Sequence, residues 1–185
     1  MTQKSAVSSD PLSLFAGLPT KKHPPVHLWN PAFCGDIDMR IARDGTWHYM
    51  GSPIGRKPLV QLFAGILKRE ADAYFLVTPV EKVGIRVEDA PFVAVELEAT
   101  GQGRDQSLTF RTNVDDTVVA GPDHPIRVAI DGSGAPAPYI EVRAGLEARI
   151  NRPVFYQLVE LGEEEGGELA VWSSGQRFSL GRLDA

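Results

Sequence analysis

Ile37-Asp38-Met39-Arg40 places an apolar, an acidic, an apolar and a basic side chain in succession, and Ile140-Glu141-Val142-Arg143 repeats that order in the second half of the chain. Alternation of apolar and polar residues is typical of a β-strand with one buried face. In each half a second strand follows, and then a proline, Pro58 or Pro153, that suits the first turn of a helix. One structural unit is therefore predicted to occur twice.

A short helix is predicted after each of these prolines. Behind Pro58 the apolar residues fall at helical spacing, at Leu59, Leu62, Phe63, Ile66 and Leu67. The second helix is predicted over residues 154–161, and in both halves the next strand begins 16 residues after the proline, at Tyr74 and at Leu169. The pattern predicts an α+β, β-rich fold made of two similar strand–strand–helix–strand units related by internal duplication.

Three segments are predicted along the chain. They are a flexible N-terminal tail at residues 1–22, an N-terminal repeat domain at 23–95 and a C-terminal repeat domain at 96–185. Two such domains would bury two sheet faces against two helices and leave a cleft between them. Clefts between domains are common ligand sites, so a binding function is the first one to consider.

Composition places the chain among ordinary globular proteins, with 43% apolar and 23% charged residues in a length of 185. The single cysteine, Cys34, excludes an intramolecular disulfide and favours a reducing compartment. A net charge of −5 argues against general nucleic-acid binding. The sequence has no apolar window long enough to span a bilayer and no signal-peptide pattern. We therefore expect a cytoplasmic protein without membrane insertion, and the oligomeric state stays open.

The strongest candidate for a binding site is segment 51–58, which precedes the first predicted helix. It carries the hydroxyl of Ser52 and the cations Arg56 and Lys57, beside the backbone N–H groups that a helix start leaves unpaired. Phosphate and carboxylate groups suit such a place because the helix start is partly positive and arginine binds them bidentately. Ordinary surface cations would show the same pattern, so that alternative stays open.

The predicted ligand is a small anion, with a nucleotide as one candidate, bound without catalysis. Trp47 or Tyr49 would stack on a base. Lys82, Asn113 and Arg143 are candidates for the opposite wall of the cleft, although Asn113 also suits a simple turn. This interpretation describes a sensing or signalling protein, and it includes no cofactor, no metal site and no catalytic residue.

Two other classes of function stay open. Asp36 and Asp38, which share the outward face of a strand, or else His48, would serve a metal-assisted hydrolase. A protein-interaction module would instead use an exposed sheet edge or the acidic run at residues 163–165, which is interpreted as a solvated loop. The two classes differ from a ligand-binding protein in a measurable way, through turnover or through capture of a protein partner.

Several longer motifs stand out along the chain, namely Gly35-Asp36-Ile37-Asp38-Met39, Asp44-Gly45-Thr46-Trp47, Gly51-Ser52-Pro53-Ile54, Leu76-Val77-Thr78-Pro79-Val80-Glu81-Lys82, Val87-Glu88-Asp89-Ala90-Pro91-Phe92, Thr112-Asn113 and Pro138-Tyr139-Ile140-Glu141-Val142-Arg143. Together they resemble one bacterial family, the uncharacterised domain of unknown function 1285. The resemblance covers nearly the whole chain from about residue 24 to 181. It implies a duplicated core and a C-terminal half similar to pleckstrin-homology-like folds. It also implies a site for a nucleotide-type ligand between the halves, in a signalling role, and it supplies no catalytic residues.

Overall fold

The computed structural model describes residues 23–183, and the chain divides into two compact units. The first unit comprises the chain up to Arg40 together with Trp47–Arg86, and the second comprises Ile41–Thr46 together with the chain from Val87 onward. The tail predicted at residues 1–22 lies outside the described residues. The predicted boundary between residues 95 and 96 falls inside a strand of the second unit, Phe92–Thr100.

Six strands and one helix form the first unit. In chain order they are β1 (Phe33–Ile41), β2 (Trp47–Tyr49), β3 (Ser52–Pro53), α1 (Lys57–Gly65), β4 (Leu67–Glu70), β5 (Ala73–Val77) and β6 (Lys82–Val87), and a 3-10 turn at Val26–Leu28 precedes them. The strands make one sheet in the order β3-β2-β1-β6-β5-β4. The predicted turn between β1 and β2 is present, and Gly45 occupies it with φ +89°, a conformation that glycine adopts without strain.

Helix α1 begins where proline predicted it and ends earlier than its apolar pattern predicted. Pro58 lies in its first turn, and the helix stops at Gly65. Ile66 and Leu67 are both buried, but they lie beyond the helix, because the Ile66 carbonyl accepts a hydrogen bond from the Val77 N–H and Leu67 opens β4. The predicted helical stripe was therefore two residues too long, since short apolar runs fit a helix end and a strand start equally well.

The second unit contains nine strands and one helix. They are β7 (Phe92–Thr100), β8 (Ser107–Thr112), β9 (Thr117–Val119), β10 (Ile126–Ile130), β11 (Pro136–Arg143), β12 (Leu146–Ile150), α2 (Arg152–Glu160), β13 (Glu163–Glu165), β14 (Glu168–Ser173) and β15 (Gln176–Arg182). Strands β7–β12 form a six-stranded sheet in the order β10-β11-β12-β7-β8-β9, and β13-β14-β15 form a separate three-stranded sheet. In the larger sheet β12 and β7 pair in parallel, which sets the start of α2 beside β7.

The order of elements around the two helices repeats, and the two six-stranded sheets share one strand order, third-second-first-sixth-fifth-fourth, when strands are counted from β1 and from β7. Strands β4–β5–β6 after α1 and β13–β14–β15 after α2 are both antiparallel meanders. Strand β6 lies beside β1 in the first sheet, but β15 ends its own three-stranded sheet. The fold is thus β-rich with two helices and two six-stranded sheets.

The acidic run Glu163–Glu165 is a strand, and the prediction of a loop was wrong. Its residues pair with Glu168, Leu169 and Ala170 of β14, while all three glutamate side chains stay exposed. A charged strand at the edge of a sheet discourages further strand pairing, which explains why acidic residues are tolerated there. Strand β11 also begins at Pro136, inside the stretch that the sequence assigned to a loop.

Among residues 23–183, neither helix has the length and apolar character that crossing a membrane requires.

Candidate functional site

The segment before α1 presents the predicted cations at the surface of the first unit. Ser52, Arg56 and Lys57 are all exposed. Arg56 is the N-terminal cap of α1, and its carbonyl accepts hydrogen bonds from the N–H groups of Leu59 and Val60, both at 3.1 Å. The helix start is therefore closed by its own backbone in the usual way, and these three side chains behave as surface groups.

Trp47 lies in the core of the first unit, so the prediction that it stacks on a bound base was wrong. The residue is 1% exposed, and its ring stacks on Phe63 of α1 with centroids 6.2 Å apart and an interplanar angle of 26°. Tyr49, two residues further along β2, is half-buried and in register with Ser52 of β3. Exposing the Trp47 ring to a ligand would remove a fully packed aromatic side chain from the core.

Lys82 is held by an ion pair rather than facing an open site. Its Nζ contacts the Glu70 carboxylate and lies 4.4 Å from the centre of the Phe75 ring. The hydrogen bond from Lys82 lowers the pKa of Glu70 below its ordinary value. The lysine charge is consequently compensated within the first unit.

Asn113 and Arg143 connect elements of the second unit. The Asn113 side chain accepts from the Val93 N–H at 3.0 Å and donates to the Gly45 carbonyl at 3.4 Å. Arg143 donates from Nη1 to Asp116 Oδ2 at 2.6 Å and lies over the Phe92 ring, 5.1 Å from its centre. Both side chains are thus used in holding turns and strands together.

The carboxylates considered for a hydrolase are also engaged or confined. Asp38 pairs with Arg86 at 3.5 Å, and the Asp36 carboxylate lies so close to Gly84 that a Cβ there would sit 2.0 Å from Oδ1. Within residues 23–183 we find no group of three or more histidine, cysteine, aspartate or glutamate side chains that could hold a metal ion. Cys34 is exposed and donates to the Ala32 carbonyl at 3.3 Å.

A cavity of about 700 Å³ lies entirely in the second unit and was not predicted. It is lined from four places in the chain, namely the β1–β2 turn, β7, the β10–β11 loop with the start of β11, and the β12–α2 junction. The lining residues are Arg43, Asp44, Val93, Val95, Asp131, Ala135, Pro136, Pro138, Arg149, Ile150, Asn151, Arg152, Phe155 and Tyr156. This volume is within the range of small-molecule sites, roughly 300–1,000 Å³.

The β12–α2 junction is fixed by Asn151, which positions the helical wall of the cavity. Its side-chain oxygen accepts from the Val154 N–H at 3.0 Å and caps α2, and its own N–H donates to the Ala94 carbonyl of β7 at 3.2 Å. Asparagine is among the best helix caps because it satisfies one of the unpaired N–H groups of the first turn. Arg152, Phe155 and Tyr156 are thereby held on the helix face that lines the cavity.

Two arginines of the cavity wall carry uncompensated charge. Arg43 and Arg152 are exposed, and neither side chain has a hydrogen bond or an ion pair with any residue in the described range 23–183. Arg43 does use its backbone N–H, which donates to Glu88 Oε2 at 2.9 Å. The guanidinium groups are therefore available to an anion that enters the cavity.

The third arginine of the wall is neutralised by a hydrogen-bond network. Arg149 Nη1 lies 3.1 Å from Asp89 Oδ2 and 3.1 Å from the Tyr139 hydroxyl oxygen, and that hydroxyl donates to Asp89 Oδ1 at 2.6 Å. Burial raises the pKa of Tyr139, and the hydrogen bond to Asp89 raises it further. Asp131, an acidic residue of the wall, accepts from Ser133 and Ala135, and the Ser133 hydroxyl is the main reason that its pKa is lowered.

One of the missed residues had a signal in the sequence. Arg152-Pro153 corresponds to Lys57-Pro58 in the repeat, so the anion-site argument for the first helix applied equally to the second. Phe155 and Tyr156 lie one turn into that helix and match Val60 and Gln61 of the first helix, so the repeat gave no signal for them. Arg43 had no such signal, because its place beside α2 depends on long-range packing.

The fold and the site define a class of protein: β-rich, made of two units, with an arginine-lined cavity in the second unit. Two family models match the chain, one described as the N-terminal domain of a domain of unknown function, DUF1285, over residues 24–90. The other is described as the C-terminal domain of a protein of unknown function, DUF1285, over residues 91–180. The chain belongs to the DUF1285 family, and the resemblance seen in its motifs is confirmed.

Two solved structures of the same family are similar to this chain. A crystal structure of a DUF1285 family protein from Silicibacter pomeroyi DSS-3 is 58% identical, with a TM-score of 0.92, over 96% of this chain and 98% of that one. A DUF1285 family protein from Shewanella baltica OS155 is 28% identical, with a TM-score of 0.52, over 66% of this chain and 90% of that one. No curated protein matches the chain.

Proposed function

We propose that this protein is a non-enzymatic binding protein for a small anionic ligand, in a sensing or signalling role, and that the ligand occupies the cavity of the second unit. The observation that carries the proposal is the presence of two unpaired arginines, Arg43 and Arg152, on the wall of a cavity of about 700 Å³. Arginine side chains on a protein surface are ordinarily solvated and spread apart, and they need no ion-pair partner there. Two of them on one concave wall favour an anionic guest.

The charge balance of the wall supports an anion over a cation. Arg43 and Arg152 have no acidic partner among the described residues, and Asp89 compensates Arg149. The two acidic residues of the wall are engaged near their own positions in the chain, because Asp44 accepts from the Thr46 N–H and Asp131 accepts from donors of its own loop. A cation entering the cavity would have to approach the two free guanidinium groups. An anion would instead form charge-assisted hydrogen bonds with them.

The repeated order of elements around the helices supports the proposal that the two units are related by duplication. In the sequence repeat Arg152 corresponds to Lys57, although α1 follows the third strand of its sheet and α2 follows the sixth. The pleckstrin-homology-like character of the second unit, implied by the family resemblance, stays a prediction. Nucleotides, phosphate esters and carboxylates all belong to the ligand class so far defined.

Isothermal titration calorimetry on the full 185-residue chain tests the proposal, with octanoate, adenosine 5′-monophosphate and inorganic phosphate as probes. At least one organic anion should bind, and Arg43→Gln and Arg152→Gln should each weaken it about tenfold, the value of one hydrogen bond to a charged group. Arg104→Gln is the matched control, because Arg104 is an exposed arginine of the same unit outside the cavity. Absence of binding at millimolar concentration, or equal losses in all three variants, would overturn the proposal.

A further inference from the structure

The wall of the cavity offers few hydrogen-bonding groups beyond the two free arginines. The side-chain oxygen of Asn151 is used by the Val154 N–H, and one carboxylate oxygen of Asp131 accepts from both the N–H of Ser133 and that of Ala135. Arg149 is used by Asp89 and Tyr139. A polar ligand group facing Asn151 Oδ1, Asp131 Oδ1 or Arg149 Nη1 would meet an atom that already has a hydrogen bond within the chain.

The backbone of the wall is equally occupied. Strand β12 has β11 on one side and β7 on the other, so both of its edges are paired. The Val93 N–H and carbonyl both bond to Asn113. Pro136 and Pro138 have no N–H group to donate. At these positions the strands present side chains to the cavity, whereas Val95 lies where the pairing of β7 with β8 shifts in register.

The side chains that remain are mainly apolar. Val95, Pro138, Ile150 and Phe155 line the cavity, together with the ring of Tyr156. A base or a sugar placed against them would leave its own donors and acceptors unpaired, which costs about as much as the hydrogen bonds lost from water. An alkyl or aryl group would instead gain the free energy of burial.

We infer that the ligand is an amphipathic monoanion, with one carboxylate or comparable anionic head and an apolar body, rather than a nucleotide. This inference rests on the proposed function of the same cavity and narrows its ligand class. The anionic head contacts Arg43 and Arg152, where the wall has unpaired donors. The apolar body lies along Val95, Pro138, Ile150 and Phe155.

A homologous series of straight-chain acids separates this inference from the broader proposal. Calorimetry on the full chain would use butanoate, hexanoate and octanoate, with octanamide, adenosine 5′-monophosphate and inorganic phosphate for comparison. Affinity should rise about fourfold for each methylene group added, as expected for burial in an apolar cavity. Octanamide, which has the same body without the charge, should bind at least about tenfold more weakly than octanoate.

Two variants test which residues bind the anionic head and which bind the apolar body of the ligand. Arg152→Gln should weaken every acid about tenfold and leave the gain per methylene unchanged. Tyr156→Ser should leave butanoate unchanged and reduce the gain per methylene, and it should not disturb folding because Tyr156 is 59% exposed. Thermal unfolding of each variant gives the check on folding.

The possible failures point to different conclusions. Nucleotide binding as tight as octanoate binding, or acid binding that is independent of chain length, would overturn the amphipathic ligand and leave the anion-binding proposal standing. Acid binding that is unaffected by Arg152→Gln and Arg43→Gln would overturn both. Absence of binding by any probe would also remove both.

Discussion

Replacing Asp89 by asparagine should raise the affinity of the cavity for anions while it lowers the stability of the protein. In the native chain Asp89 accepts from the Tyr139 hydroxyl at 2.6 Å and from Arg149 at 3.1 Å, and so compensates the arginine that lines the cavity. An asparagine keeps one acceptor oxygen and loses the negative charge. Arg149 would then present a third uncompensated cation to the cavity.

The magnitudes follow from the burial of this network. The Asp89 and Arg149 side chains are 13% and 21% exposed, so solvent screens their interaction only weakly. One hydrogen bond to a charged group contributes ~1.5–3 kcal/mol, and its loss should lower Tm by about 3–12 °C for a chain of this length. The freed guanidinium should strengthen octanoate binding about fivefold, equivalent to ~1 kcal/mol at a partly solvated site.

Glu147→Gln is the matched control for this experiment. Glu147 accepts two hydrogen bonds from Arg127, at 2.6 and 2.7 Å, and Arg127 lies 4.3 Å from the centre of the same Tyr139 ring. Arg127 does not line the cavity. Glu147→Gln should therefore lower Tm without changing octanoate affinity. An Asp89→Asn variant that binds octanoate no better than the wild type would refute the reasoning.

Two further predictions concern packing and pH. Gly45→Ala should cost ~2–3 kcal/mol and weaken octanoate binding, because the new Cβ would lie 2.7 Å from Asn113 Nδ2 and 2.9 Å from Val93 Cγ2. Gly134→Ala, at φ +84° with open space around it, should cost only the backbone strain of ~1 kcal/mol, and equal losses in urea unfolding would contradict the packing argument. Lys82→Met should destabilise the protein at pH 7 and progressively less towards pH 3. Its hydrogen bond lowers the pKa of Glu70 below 4.5, so the stabilisation is present above that pH and disappears as Glu70 is protonated in the folded state. A loss on Lys82→Met that is the same at both pH values would exclude this pair as the cause.

The parts of the fold that sequence predicted best are those with a local cause. Alternation and turn residues in the sequence predict strands at 47–49, 117–119, 126–130 and about 146–150, and β2, β9, β10 and β12 have these bounds. Alternation, turn residues and prolines determine structure over only a few positions. Their effect can therefore be predicted without knowledge of the rest of the chain. The start of α1, with Pro58 in its first turn, also has a local cause. The end of the helix does not, because Ile66 and Leu67 pair with β5.

The sequence predicted the type of residue found at the candidate site but not its position in the chain. The proposed cavity has the predicted kind of residue, an arginine beside a helix start, but the sequence favoured Arg56 and Lys57 over the matching Arg152. Trp47 was taken for a ligand-stacking group because aromatic residues in a strand look alike whether they face the core or solvent. Its burial against Phe63 depends on α1 covering that face of the sheet.

By itself the sequence determined the β-rich class, the two helices with proline in their first turn, the positions of most strands and membership of a family. Each of these depends on short-range conformational preference or on sequence motifs. Only the tertiary structure decided which charges are compensated. Arg43, Arg149 and Arg152 are alike as residues, yet parallel pairing of β12 with β7 gathers Arg149 and Arg152 with Arg43 around one cavity, while Asp89 neutralises Arg149 alone. Ion pairing is set by which distant segments become neighbours, and that depends on the packing of the whole unit.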